Sequence, residues 1–181
     1  MEFLEEHQAM QLIRNLSLGL AVLLIASCTR FTGDAGPNLP RHAQWGILPM
    51  VNYSQTPQAG ERSEQILLSA ISRHGLQPRV YPLSTQGEQA LMDDNERLAG
   101  ALDWARAEQL DYVITGSVEE WQYKSGLDGE PAVGVSLRVM DVRSGRVLWS
   151  KSGARAGWSR ESLAGTAQQV IEPLVDALRF E

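Results

Sequence analysis

The sequence predicts an α/β sandwich, with helices packed on a mixed sheet in the order βαβαβββα. Two stretches with apolar residues at helical spacing alternate with short β-branched runs in the first half of the chain. Three strand-like segments then follow one another with turn signals between them, and a last amphipathic helical stripe closes the order. Consecutive strands without crossover helices pair antiparallel, so a doubly wound parallel sheet does not fit. At 181 residues and 43% hydrophobic, the chain is long enough to build one core without disulfides or a metal.

Trp45 to Tyr53 is an apolar run of strand length in which Pro49 marks an end, a bulge or an edge. Thr56 and Pro57 read as an N-cap and first helical residue, and Gly75 as the residue after the helix, so 57–74 is expected to be helical. Ile66, Leu67, Ala70, Ile71 and His74 form its stripe. Gln77 to Leu83 is a short second strand. Asp93 with Glu96 fits a capping box for a helix ending near Gln109, with Leu98, Ala101, Leu102 and Ala105 on one face.

Tyr112 to Val118 reads as a central strand continuing to Tyr123, and Ser125 to Glu130 as a hairpin tip. Val133, Val135, Leu137 and Val139 alternate with smaller or polar residues, the period of a half-buried strand. Arg143 to Arg146 turns the chain into a strand over Val147 to Ala154, completing an antiparallel meander. Ser159 is the expected cap of the last helix, whose stripe is Leu163, Ala167, Val170, Ile171, Leu174 and Leu178. Pro173 within it removes one hydrogen bond, so a kink is expected there.

The N-terminal region has another purpose. Leu16 to Ala26 is an apolar run of 11 residues, about 16 Å as a helix and roughly half of a bilayer core, which suits a signal-peptide h-region. It ends in small residues and the only cysteine, Cys28, as in the bacterial lipobox that it resembles. Met1 to Glu6 carry three carboxylates where a signal peptide should be positive, which makes Met10 the expected native start. The organisation expected is a signal peptide over 1–27, a lipidated N-terminus and Gly/Pro-rich tether over 28–43, and a single periplasmic domain over 44–181.

A net charge of −6 argues against nucleic acid and leaves room for a cationic partner. Two lysines stand against fourteen arginines, the cation that makes bidentate pairs at interfaces. His7, His42 and His74 fall in leader, tether and helix end, so no zinc site is expected, nor any other metal or cofactor. The usual serine-hydrolase and nucleotide-binding signatures are missing. Glu119 and Glu120, adjacent on a strand, are expected to point to opposite faces and to make poor catalytic partners. The chain does not read as an enzyme.

Ile47 to Gly60, with its Asn-Tyr-Ser-Gln-Thr-Pro-Gln-Ala-Gly stretch, Tyr112 to Val118 and Asp141 to Ser150 together resemble the PelC-type outer-membrane lipoproteins of Pel exopolysaccharide secretion. The resemblance spans about residues 45–178. The Asp-x-x-x-Gly-x-x-Leu-Trp segment is shared with curli-secretion and penicillin-binding-protein-activating lipoproteins. The resemblance implies an acyl-anchored homo-oligomeric ring, a dodecamer, on the inner leaflet of the outer membrane, facing the periplasm. It further implies that the ring guides a cationic polysaccharide toward a β-barrel porin with a periplasmic scaffold. Two other functions compete: a tethered regulator of a peptidoglycan synthase and a curli-type secretion lipoprotein.

Two residue sets meet that reading. Trp121, Tyr123, Trp149 and Trp158 lie on or beside the meander and suit a membrane-interface belt. Trp149 shares a strand face with Val147 and fits a core position equally, whereas Trp121, near a hairpin tip, is the better membrane candidate. Asp93, Asp94, Glu96, Asp103, Glu108, Asp111, Glu119 and Glu120 form the acidic set. In a monomer they would be an ordinary solvated face. In a ring each would be repeated by every subunit, turning a modest charge into a strong field.

Overall fold

The computed structural model describes residues 29–33, 36–82, 93–124, 129–158 and 160–181. Cys28 and the leader, Leu83, the tip residues 125–128 and Ser159 lie outside them. The elements are β1 (Thr29–Thr32), β2 (Asn38–Leu39), β3 (Trp45–Asn52), α1 (Ala59–Arg73), β4 (Arg79–Val80), α2 (Asp94–Ala107), β5 (Tyr112–Tyr123), β6 (Pro131–Asp141), β7 (Val147–Ala156), α3 (Leu163–Asp176) and β8 (Arg179–Phe180).

Six strands form one sheet in the order β1-β7-β6-β5-β3-β4. β3 runs parallel to β4 and β5, while β5, β6, β7 and β1 pair antiparallel. The expected meander and mixed α/β sandwich are therefore both present. Val133, Val135, Leu137 and Val139 of β6 face Leu67 and Ile71 of α1 and Val170, Ile171 and Leu174 of α3 in the main core. α2 lies on the opposite face, where Ala101 and Ala105 pack with Leu48, Val113 and Val142. Hydrophobic periodicity predicts these elements because burial on one face is what stabilises each of them.

The N-terminal segment differs from expectation. Residues 29–43 read as a tether, yet Thr29–Thr32 pairs with β7 in register from Thr29↔Arg155 to Thr32↔Ser152. Asn38–Leu39 pairs with β8, and Leu39 is buried in the main core. The strand state of Thr-Arg-Phe-Thr is not intrinsic; it comes from the otherwise open edge of β7, whose unpaired backbone groups it satisfies. Gly153 leaves the space that Phe31 fills, since a Cβ there would stand 2.6 Å from Cε1 of the ring.

Helix ends also move. α1 begins at Ala59 after Gln58 in left-handed conformation, with no side-chain cap, because Thr56 is engaged elsewhere: its Oγ1 donates to the carbonyl of Trp121. Gly75, at φ +78°, ends α1 as expected. Asp93 caps α2 by accepting from the N–H of Asn95. Ser162, rather than Ser159, caps α3, accepting from the N–H of Gly165 at 3.0 Å. α3 continues through Pro173 to Asp176, so Leu178 packs from beyond the helix.

Candidate functional site

β5 carries a bulge. Val118 pairs with Val135, but Glu120 pairs with Gly134 and Trp121 with Val133, so one residue of β5 is extra. Side chains alternate along a strand, and one inserted residue exchanges the faces of everything after it. Trp121, expected to reach lipid, is turned onto the core face and is 2% exposed. Glu119 and Glu120, expected on opposite faces, come together. A Cβ on Gly134 would point away from α1 and α3 and would lie 3.5 Å from Glu120 Cβ and 3.7 Å from Glu119 Cβ.

The chain leaving β3 borders this bulge. Asn52 organises it: its Oδ1 accepts from the N–H and hydroxyl of Ser54, and its Nδ2 donates to the carbonyl of Thr56. Tyr53 N–H donates to the carbonyl of Val118 at 2.9 Å. Gly60 lets α1 start against β3, because a Cβ there would sit 2.6 Å from the carbonyl oxygen of Met50. Asn52, Ser54, Thr56 and Gly60 of the motif thus build the loop. Tyr53, 66% exposed, and the exposed Gln55 present their side chains to solvent. Between them and β5 lies a cleft of about 200 Å³ lined by Tyr53, Gln55, Glu119, Glu120, Trp121 and Gln122.

Glu119 accepts from the hydroxyl of Ser117 at 2.7 Å and Glu120 from the amide of Gln122 at 3.2 Å. Among the described residues neither makes an ion pair. The rest of the acidic set is not gathered with them. Asp93 caps α2, and Asp94 accepts from the N–H of Asn52. Asp103 pairs with Arg106, Glu108 with Arg79, and Asp111 accepts from the N–H of Gln44. Glu96 is exposed at the start of α2. A larger cleft of about 780 Å³ opens near the start of β5, lined by Arg106, Asp111, Tyr112, Asp141 and Arg143. Its carboxylates are already committed, since Asp141 accepts from both the N–H and hydroxyl of Ser144, bonds that hold its pKa below the ordinary value.

The aromatic set divides. Trp149 is 6% exposed and lies in the main core with Trp121, whereas Tyr123 is 51% exposed and Trp158 52%. Tyr123 ends β5 opposite Pro131, and Trp158 follows β7 two residues after Ala156. The register Thr29↔Arg155 brings the start of β1 to this same end of the sheet.

One buried ionic group leaves little mark in the sequence. Arg97 of α2 pairs with Glu61 at 2.7 Å and Glu64 at 3.3 Å, both on α1. Glu64 also accepts from the N–H of Met50 at 2.8 Å. Burial holds its carboxyl above the usual range, opposed by the Met50 bond and the Arg97 charge. The available signal was a glutamate at i−3 from Leu67 and i−7 from Ile71, on the apolar stripe of α1.

No family model and no curated protein matches the chain. Solved structures do. PelC from Paraburkholderia phytofirmans, solved as a dodecamer, is 35% identical with a TM-score of 0.69, over 82% of this chain and 96% of that one. A leucine-to-methionine variant of the same protein, also a dodecamer, matches at 35% identity and TM-score 0.70 over 86% and 99%. Lipoprotein GNA1162 from Neisseria meningitidis shares the fold at 20% identity and TM-score 0.54, over 74% and 96%. With 35% identity along almost the whole length of PelC, the chain belongs to the PelC family.

Proposed function

We propose that this protein is a non-enzymatic, lipid-anchored component of Pel exopolysaccharide export, seated on the periplasmic face of the outer membrane. In this reading Cys28 carries the acyl anchor after removal of the signal peptide. The subunits form a homo-oligomeric ring, and carboxylates guide a cationic polysaccharide toward an outer-membrane porin with a periplasmic scaffold. The observation that supports it first is the 35% identity to a dodecameric PelC along 96% of that chain.

The fold supplies a second support. Cys28 is one peptide bond before Thr29, and Thr29 pairs with Arg155 at the end of the sheet that presents Tyr123 and Trp158. The start of β1 and the exposed aromatics share one pole, which supports an anchor on the preceding residue, since rings with apolar bodies and polar tips suit the headgroup region. Among the described residues no helix is long and apolar enough to cross a membrane. With β1 in the sheet, no free tether remains between the anchor and the fold, which works against a regulator reaching across the periplasm. The membrane set reduces to Tyr123 and Trp158.

Complementation of a deletion strain tests the reading. Cys28→Ser should abolish polymer export while the protein accumulates, and Trp158→Ala should reduce export with the ring intact by native mass spectrometry. Normal export by Cys28→Ser would overturn the anchored component.

A further inference from the structure

The cleft beside the β5 bulge has a composition that a diffuse acidic field does not need. Of the Asn52 to Gly60 stretch, the fold consumes Asn52, Ser54, Thr56 and Gly60, and leaves Tyr53 and Gln55 facing the cleft. On the other side the bulge turns Glu119 and Glu120 to one face beside Gln122, and no cation pairs with them among the described residues. An exposed aromatic ring, two carboxylates outside any ion pair among the described residues and two amides thus converge on about 200 Å³.

We propose that this cleft is a subsite for a single sugar residue bearing a free amine. This rests on the export reading above and assigns it a specific point of contact. The C–H face of the pyranose packs on Tyr53, the ammonium sits against Glu119 and Glu120, and the amides of Gln55 and Gln122 bond the ring hydroxyls. A bare cation, such as a lysine side chain, would use only the carboxylates. The sugar uses all three kinds of group. The loop is held in place by Asn52 and Thr56, so little ordering is required on binding. The volume is below the roughly 300 Å³ at which tight ligand pockets begin, and the binding is correspondingly weak and fast, as a moving polymer requires.

Saturation-transfer NMR on the full acylated protein in detergent tests this, because it detects weak ligands on large assemblies. The probes are glucosamine trimer, N-acetylglucosamine trimer and trilysine. The glucosamine trimer should receive saturation at its ring C–H protons and bind about tenfold more tightly than the acetylated trimer. Tyr53→Ala should weaken it about fivefold to tenfold. Glu119→Gln with Glu120→Gln should reduce it to the level of the acetylated trimer. Asp103→Asn, the same type of charge loss on α2, should change nothing. Trilysine binding equally well with no effect of Tyr53→Ala would overturn the proposal, as would no saturable signal from any sugar. Loss of export in Cys28→Ser alongside no sugar signal would retain the export reading and reject the subsite. A Tyr53-dependent sugar signal in a protein whose deletion leaves export intact would retain the subsite and reject that role.

Discussion

Two strands of this protein are interrupted, and the interruptions use carboxylates in opposite ways. In β3 the register against β5 slips between Ile47 and Met50, around Pro49, while β4 covers only Gly46 and Ile47. The N–H groups of Met50 and Asn52 face no strand, and Glu64 and Asp94 accept from them at 2.8 Å each. Side chains of α1 and α2 thus stand in for a missing neighbour, and Arg97 pairs with Glu64. In β5 the bulge presents Glu119 and Glu120 outward, with partners that are only neighbouring polar side chains. The first pair of carboxylates completes the fold, whereas the second is held in place by a fold already complete. Type of residue does not separate them; the hydrogen bonds they supply to the backbone do.

The largest expected effect is at Arg97, whose side chain is 11% exposed against 7% for that of Glu64. Removing one partner of a buried pair leaves an uncompensated charge and costs about 3–5 kcal/mol. Arg97→Ala should fall near 3 kcal/mol, the lower end, because Met50 N–H still solvates the carboxylate and Glu64 can take up a proton. Urea unfolding measures this, and a loss below about 1 kcal/mol would show that the pair behaves as a surface bridge.

A pH series separates the two groups further. Burial raises the folded-state pKa of Glu64 above its unfolded value, near 4.5, so the folded protein binds the proton more readily. That contribution to stability is fully present below about 4.5 and is lost as pH rises through the folded-state value. Glu64→Gln keeps an acceptor for Met50 N–H and removes the titration. The stability of wild type relative to Glu64→Gln should therefore fall as pH rises from about 4 to 7. A difference flat across that range would mean that Glu64 does not change protonation state with its environment as described.

Periodicity made the elements legible, because each of α1, α3 and β6 buries one face and repeats apolar residues at its own spacing. It could not show what breaks the repeat. Val118-Glu-Glu-Trp-Gln-Tyr carries two successive polar residues before Trp121, and that lapse in alternation is the trace of the β5 bulge. Unbroken alternation from Val118 would place Trp121 outside and separate Glu119 from Glu120. Pro49 was legible as a bulge or edge; the acceptors that complete it, Glu64 and Asp94, come from other elements and leave no local mark. β1 was illegible for a related reason, since its conformation is supplied by β7. Of the candidate site, the carboxylates were legible by type, whereas Tyr53 and Gln55 emerged only once the fold showed which motif residues it uses.

The smallest expected effect completes the comparison. Replacing Glu119 and Glu120 with glutamine keeps the shapes and the local bonds from Ser117 and Gln122 while removing two like charges held over Gly134. No backbone N–H depends on them among the described residues, so stability should change by less than about 0.5 kcal/mol. The sign should be slightly stabilising, since like charges on neighbouring side chains repel. Urea midpoints for this double variant and for Arg97→Ala, measured under one condition, set the two interruptions side by side. A loss of about 2 kcal/mol or more in the double variant would make the β5 carboxylates part of the fold, and the contrast with Glu64 and Asp94 would disappear.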